Sequence, residues 1–413
     1  MKKVLFIAYN FPPCGGPGVQ RSLKYVKYLE GTNWQPIVFT TYEDSYPVLD
    51  FSLLKDIPEG TLIYRTKTYD INKYRLYFVK LGLGKFHALL NTLLALPDSA
   101  IFWALFSRYK IKRIIQEHEP DIIYTSSGPY SSHLLGLWIK IKYNIPWVAD
   151  FRDAWSLNQF VKYLPLYRKF NSILEKKVLD NADSVVCVSE VDCRNFSILA
   201  NNSDKVEVIH NGFDHDNFPN FGKIVNFKSD KFTILYTGNF SSTRKPDNFI
   251  NAIRKLIDEN KIDERLIEVI FAGSSLDRFL PDYPFIDNVG YIEHSNLENL
   301  RNKSHLLLLL QDSSISTIGD YSGKIFEYIA SGIPILAITN PNSVVVNLVN
   351  STKTGITVDS DVISISRIIL KLYNNFINCD LDFAPNWDEV NRYSRAVSTK
   401  KLIDIFNRLT EFD

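Results

Sequence analysis

Several stretches of the sequence carry residues whose types and spacing suit chemistry on a polar, anionic substrate. The first, Asn10-Phe11-Pro12-Pro13-Cys14-Gly15-Gly16-Pro17-Gly18-Val19-Gln20-Arg21, follows an apolar run and leads into a helical pattern. Glycines between strand and helix let the backbone approach an anion closely, and the helix N-terminus adds unpaired N–H groups and a positive dipole end. Gly16 and Gly18 are the candidates there. The spacing matches neither G-x-G-x-x-G nor a P-loop, so a tight turn is the competing reading. The second stretch, WVADFRDAW at 147–155, sets Asp150, Arg152 and Asp153 at and just past a strand end, where open α/β sheets bind ligands. These three can orient or deprotonate a hydroxyl acceptor, or they can form an ion pair that braces the loop. Upstream, Ser126-Ser127-Gly128-Pro129-Tyr130-Ser131-Ser132-His133 is another small-residue loop feeding a helix, in which His133 either faces the acceptor or packs.

In the second half, Gly238-Asn239-Phe240-Ser241-Ser242-Thr243-Arg244-Lys245-Pro246 again joins a strand to a helix. Arg244 and Lys245 are placed to neutralise phosphates; a solvated basic turn is the alternative. The most informative segment runs from Asp320 to Pro334, DYSGKIFEYIASGIP. Ser322 and Gly323 open a helix, Lys324 follows, and Glu327 sits one turn in on an otherwise apolar face. A carboxylate so placed can accept both hydroxyls of a ribose. Its bland alternative is a pair with Lys324 on the same helix.

These residues need a scaffold, and the sequence supplies one. Apolar runs at 4–9, 36–40, 121–126, 147–151, 184–189 and 206–210 are each bounded by turn residues, and most are followed by a helical pattern. That alternation reads as βαβ units around a parallel sheet. It restarts after residue 212 with runs at 232–238, 267–273, 305–311 and 334–339. Between the halves, NGFDHDNFPNFGK has linker composition. The division expected is residues 1–212, residues 213–390, and an amphipathic helix within 391–413.

A chain of 413 residues exceeds what one core usually organises, so two domains of about 200 residues each are expected. The formal net charge of +1 provides no global field for nucleic acid or an anionic bilayer. Nucleic-acid binding is therefore not expected. Four cysteines without a C-x-x-C pair fit reduced thiols in a cytoplasmic compartment and indicate neither zinc nor a disulfide framework. The opening MKKVLFIAY is too short, and is broken too soon by Asn10, Pro12 and Pro13, to read as a secretory leader, so a buried strand is expected. Between about 70 and 113 the rhythm fails, and a basic, aromatic stretch appears with only Asp70 and Asp98 against its many Lys and Arg. Such an insertion either packs on its own domain or lies peripherally on a membrane.

Taken in order, the glycine-rich loop, DFRDAW, NGFD, TGNFSSTRKP and KIFEYIASGIPIL resemble the GT-B glycosyltransferases of family 4, a likeness spanning nearly the whole chain. The resemblance implies two Rossmann-like domains facing a central cleft, with the C-terminal helix crossing back to the first. It implies a retaining transferase that takes a nucleotide sugar, usually a UDP-sugar, mostly on the second domain, with no metal and no other cofactor. By position, Gly16 and Gly18 would touch diphosphate or sugar, Lys245 would pair with the diphosphate, Glu327 would bind the ribose, and Gly290 with Tyr291 would hold the base. Two departures stand out. Asn239 replaces the arginine after the strand glycine, with Arg244 available to take over its charge. Gly319 occupies the first glutamate position of E-x7-E, leaving Asp320, Ser322 and neighbouring N–H groups for the sugar. The DFRD sequence is shared with a branch of bacterial polysaccharide enzymes, so the acceptor expected is a glycan or polyprenyl-linked hydroxyl, oriented by Asp150, Asp153 and His133. Competing readings are a GT-B sugar-nucleotide epimerase, a dinucleotide oxidoreductase lacking its fingerprint, and a non-catalytic lipid-associated scaffold.

Overall fold

The apolar runs become two parallel sheets. The structure, a computed structural model, describes residues 1–68, 79–83, 96–158, 164–225, 229–241, 244–274, 279–292, 294–314, 317–380 and 382–411. Residues 70–78 and 84–95 of the basic, aromatic stretch lie outside this set, as do Ser242 and Thr243 of the basic loop.

The first unit comprises Met1–Asn211 and Arg395–Asp413. Its seven strands are β1 (Lys2–Ile7), β2 (Trp34–Thr41), β3 (Leu62–Thr66), β4 (Ile122–Ser126), β5 (Trp147–Phe151), β6 (Ser184–Cys187) and β7 (Val206–Val208). They lie in the order β3-β2-β1-β4-β5-β6-β7. Every pairing is parallel, with Val4 opposite Ile122 and Ser126 opposite Asp150. The central strands β1, β4 and β5 are almost wholly buried, as near-continuous runs of Val, Ile, Leu and Phe require when both faces are covered. One face is covered by helices Ile101–His118, Ser131–Tyr143, Pro165–Asn181 and Glu190–Leu199, with Trp103, Ile139, Leu179 and Phe196 in the core. The other is covered by helix Pro17–Tyr28 and the last helix, Arg395–Thr410, whose Phe406 packs with Phe6, Trp34 and Tyr124.

The second unit, Gly212–Ser394, has six strands: β8 (Phe232–Thr237), β9 (Ile267–Ala272), β10 (Ile286–Gly290), β11 (Leu306–Leu310), β12 (Ile335–Ile338) and β13 (Gly355–Val358). Their order is β10-β9-β8-β11-β12-β13, again all parallel. Both sheets therefore reverse their winding once, at β1/β4 and at β8/β11, and such switch points are where open α/β sheets bind ligands beyond the carboxyl ends of the strands.

The last helix joins the first unit, but the return starts at Arg395, not at 391. Helix Trp387–Asn391 stays with the second unit because Val390 is buried in its core, and the Phe213 N–H bonds the Tyr393 carbonyl at 3.1 Å. A Cβ on Gly212 would come 2.1 Å from that carbonyl, so only glycine fits where the chain enters this unit. Among the described residues no helix is long and apolar enough to cross a membrane.

Candidate functional site

In the first unit the loops after β1, β4 and β5 converge on Arg152. Its Nε donates to the Ser127 carbonyl (2.7 Å), one Nη to Gly128 O (3.1 Å) and the other to Gly18 O, while its own N–H bonds Ser127 Oγ at 2.9 Å. The Asn10 amide donates to the same Gly128 carbonyl at 2.9 Å. Arg152 thus clamps three loops rather than presenting a free cation. Gly18 and Gly128 make room for it: added Cβ atoms would fall 3.2 Å and 2.5 Å from its Nη atoms, and Gly128 also has φ near +71°. Gly16 differs. It precedes helix Pro17–Tyr28 with φ near +89°, is exposed, and has open space where a Cβ would project. Of the two glycines singled out, Gly16 stays available to a ligand, whereas the Gly18 carbonyl is taken.

Asp150 corrects the sequence reading most sharply. It is fully buried, both oxygens accept from Arg21 Nε and Nη2 at 2.8 Å, and the Tyr124 hydroxyl also donates to it. Nothing is left to orient an acceptor, so Asp150 is half of a buried ion pair that ties helix Pro17–Tyr28 to β5. Arg21 reaches on to the His210 carbonyl at 3.1 Å and Asn211 Oδ1 at 3.4 Å. His133 is likewise interior. Its ring lies 4.3 Å from Phe151, with Nδ1 at 2.7 Å from Thr125 Oγ1, and burial pushes its pKa down to about 3. It is a neutral packing group and not an acceptor contact. Because the folded value lies below the unfolded one, the unfolded chain holds the extra proton more tightly, and stability falls as pH drops from about 6.5 toward 3. NMR should accordingly show one imidazole that does not titrate between pH 8 and 5.

Asp153 alone among these acids stands exposed at the β5 end. Its loop is braced from behind: Trp155 donates to Asn171 Oδ1 at 2.8 Å and stacks on Tyr130, and the Ser156 N–H and hydroxyl bond Glu175. The sequence reading missed a neighbour, Asp192. Ser189 caps helix Glu190–Leu199, accepting from the Asp192 N–H at 3.2 Å while donating to its carboxylate at 2.9 Å. Burial, with a smaller push from Asp153, lifts the Asp192 pKa to about 6. The signal was present as the S-x-x-D capping pattern of SEVD.

In the second unit the ends of β8, β9 and β10 close around glycines. The Gly238 N–H donates to Ala272 O (2.6 Å) and the Gly273 N–H to Gly290 O (2.8 Å); a Cβ on Gly273 would strike Gly238 O at 2.3 Å. Asn239, standing in the arginine position, accepts from the Ser274 N–H at 2.7 Å, so it holds the loop and brings no charge. Charge comes from Lys324. Its amine lies 4.2 Å from the centre of the Tyr236 ring and so close to Gly238 that a Cβ there would sit 2.5 Å away. Among the described residues no carboxylate pairs with it, nor with Arg244 or Lys245. Burial, then the charge of Arg244, push the Lys324 pKa down to about 8. A half-buried amine beside another cation is electrostatically unfavourable until an anion arrives.

Helix Gly323–Ala330 is positioned by Tyr328, whose hydroxyl lies 2.9 Å from Thr237 Oγ1 and accepts from the Thr237 N–H at 3.3 Å. Ser322 is its N-cap but makes no side-chain cap, and Gly323 is exposed with open space above it. Glu327 is about a third exposed and pairs with buried Arg301 at 3.9 Å, not with Lys324. The loop before the helix is held by Gln311, which donates to the Asp320 carbonyl at 2.5 Å, while Gly319 is buried. Lys245 is exposed one residue past Arg244, and Tyr291 is exposed after Gly290, whose φ is near +69°. The structure thus brings Arg244, Ser322, Gly323, Lys324 and Glu327 to the carboxyl end of one sheet. Asp320 stands at the same end.

Residues 88–217 match the model of Glycosyltransferase Family 4. No curated protein matches the chain in sequence. Among solved structures, the fold is similar to sucrose-phosphate synthase from Thermosynechococcus elongatus (14% identity, all of both chains covered, TM-score 0.63). It is similar also to HepE from Anabaena, solved with UDP and glucose (12%, 99% of this chain and 100% of that one, TM-score 0.64). UDP-GlcNAc 2-epimerase from Methanocaldococcus jannaschii is a more distant likeness (13%, 99% and 100%, TM-score 0.54). At these identities the structural likenesses speak for the fold. The fold over the whole chain is thus of the GT-B kind, and residues 88–217 carry the pattern of glycosyltransferase family 4.

Proposed function

We propose that the protein is a retaining transferase that moves a sugar from a UDP-sugar to a hydroxyl of a glycan or polyprenyl-linked acceptor at the cytoplasmic face of a membrane. The observation that carries the donor half is Lys324, a half-buried amine that no carboxylate among the described residues pairs with, close to Gly238 and Arg244 in the first turn of a helix. Such a site suits a diphosphate. Glu327 is open enough to accept ribose hydroxyls, and the exposed backbone at Gly290 and Tyr291 suits a base. The fold's likeness to HepE, solved with UDP and glucose, supports UDP as the nucleotide.

The chemistry asked of these residues is stabilisation of a leaving group. As the bond from the sugar's anomeric carbon to the diphosphate breaks, charge grows on the departing oxygens, and preorganised cations and N–H groups offset it. The acceptor oxygen then bonds the same face of the anomeric carbon, and its proton passes to the released phosphate oxygen. No metal is assigned a part in this reading. Asp153 is the acceptor-side carboxylate, with Asp192 next to it. The test is a thermal-shift panel of nucleotide sugars. One UDP-sugar near 100 times its Kd should stabilise the native state by about 2.7 kcal/mol, and a flat panel would overturn the reading. The epimerase likeness favours a second reading, which needs no acceptor; NMR of a UDP-sugar incubated with protein alone would show a new sugar configuration.

A further inference from the structure

Two helices of the first unit are amphipathic on their outer sides as well as their inner ones. Helix Pro165–Asn181 buries Asn171, Glu175, Val178 and Leu179. On the opposite side Leu166, Phe170 and Ile173 recur at helical spacing and are all exposed, Leu166 at 62%. Lys169 and Lys177 flank that stripe, also exposed. Residues 164–174 contain no acid, and the next acid, Glu175, is turned inward onto Ser156. Helix Ile101–His118 repeats the arrangement: Phe106 and Tyr109 are 62% and 72% exposed, Lys112 and Arg113 are exposed beside them, and residues 99–116 contain no acid.

The topology places both stripes at one rim. All strands of this sheet are parallel, and each of these helices runs back to the start of the next strand, β4 or β6. Their N-terminal halves, where Phe106 and Leu166 lie, therefore stand level with the carboxyl ends of the strands. That is the rim bearing Gly16, Ser127 and Asp153. The inner face of helix Pro165–Asn181 also holds the Asp153 loop directly, through Asn171 and Glu175.

Exposed aromatic and aliphatic side chains ringed by Lys and Arg, with the acids removed, match an anionic bilayer surface: rings enter the headgroup layer while cations meet lipid phosphates. The chain's net charge of +1 makes this local segregation a matter of placement rather than overall composition. We infer that these two helix faces form one docking surface for an anionic lipid bilayer, which holds the Asp153 loop against the membrane. The inference deepens the lipid-borne acceptor proposed above and rests on it for its purpose, but not for its test.

The test is co-sedimentation of the full chain with phosphatidylcholine vesicles, with and without about a third phosphatidylglycerol, at low and high salt. Binding should need the anionic lipid and weaken with salt. Phe170→Ser with Lys169→Glu on one helix, and Phe106→Ser with Lys112→Glu on the other, should each lower vesicle affinity on the order of tenfold. These side chains are exposed, so folding should be unaffected, which thermal unfolding checks. Absence of binding to anionic vesicles, or binding that both variants leave intact, would overturn the inference. So would a concentration-dependent dimer in lipid-free solution that the same variants abolish, since the occupant would then be a second copy. UDP-sugar binding without vesicles is measured in parallel: its loss would sink the donor reading while leaving the docking surface standing.

Discussion

Lys324→Met lowers sugar transfer by about 10²–10³-fold in kcat, the usual cost of losing one preorganised donor to a developing anion. Methionine keeps an unbranched stem against the Tyr236 ring, so the helix and Gly238 stay in register and the loss reports charge. The pH dependence gives the sign. In the free protein the amine loses its proton near pH 8. A bound diphosphate favours the ammonium and raises that value, so binding takes up a proton above pH 8 and affinity falls as pH rises through it. Below about pH 7 the amine is already charged and affinity is flat. The fold feels the opposite slope: the unfolded lysine holds its proton more tightly, so the free protein loses stability as pH falls from 10.5 to 8 and no further below that. Calorimetry of UDP binding in buffers of different ionisation enthalpy measures the uptake, and Lys324→Met should abolish it. Unchanged kcat and unchanged proton uptake in this variant would remove Lys324 from the donor site.

Arg21→Met and Asp150→Leu each destabilise the first unit by about 3–5 kcal/mol, because each leaves a buried charge without its partner. Among the described residues, Asp150 would keep the Tyr124 hydroxyl, and Arg21 would keep a carbonyl, an amide oxygen and the face of the Tyr25 ring. The double variant, with both charges gone, should recover most of the loss. Tryptophan fluorescence in urea is a suitable measure, since five of the six tryptophans belong to the first unit. The result distinguishes two jobs for Asp150. If Asp150→Asn kept full stability and lost activity, an acceptor role would return.

The central strands were legible because burial on both faces writes an uninterrupted apolar run. Three strands escaped that reading: β3, β10 and β13. Each lies at a sheet edge and lacks a fully buried residue, so LIYRT, IDNVG and GITV carry mixed polarity with no run to notice. Site residues divided on a different line. The sequence located Asp150 and Arg152 at the end of β5 and His133 where the loop after β4 feeds a helix, but whether a polar group there faces ligand or interior depends on partners far away in the chain. Arg21 lies 129 residues from Asp150, and Gly18 lies 134 from Arg152. Lys324 was readable only as one member of a helix N-terminus; that no carboxylate among the described residues pairs with it emerged with Tyr236 and Gly238 packed against it.

The two crossings of the chain, at Asn211 and at Arg395, are joined by a 3.4 Å contact from the Arg395 guanidinium to Asn211 Oδ1, the same oxygen that Arg21 touches. The second unit is therefore a guest whose ends meet, inserted in a host that is completed only by the last helix. During synthesis the order of events is inverted with respect to the sequence. Residues 212–394 can close their own sheet as soon as they emerge, whereas the earlier-made sheet must wait, one face covered only in part by helix Pro17–Tyr28, until Leu402, Ile405 and Phe406 leave the ribosome to complete the cover over Phe6 and Tyr124.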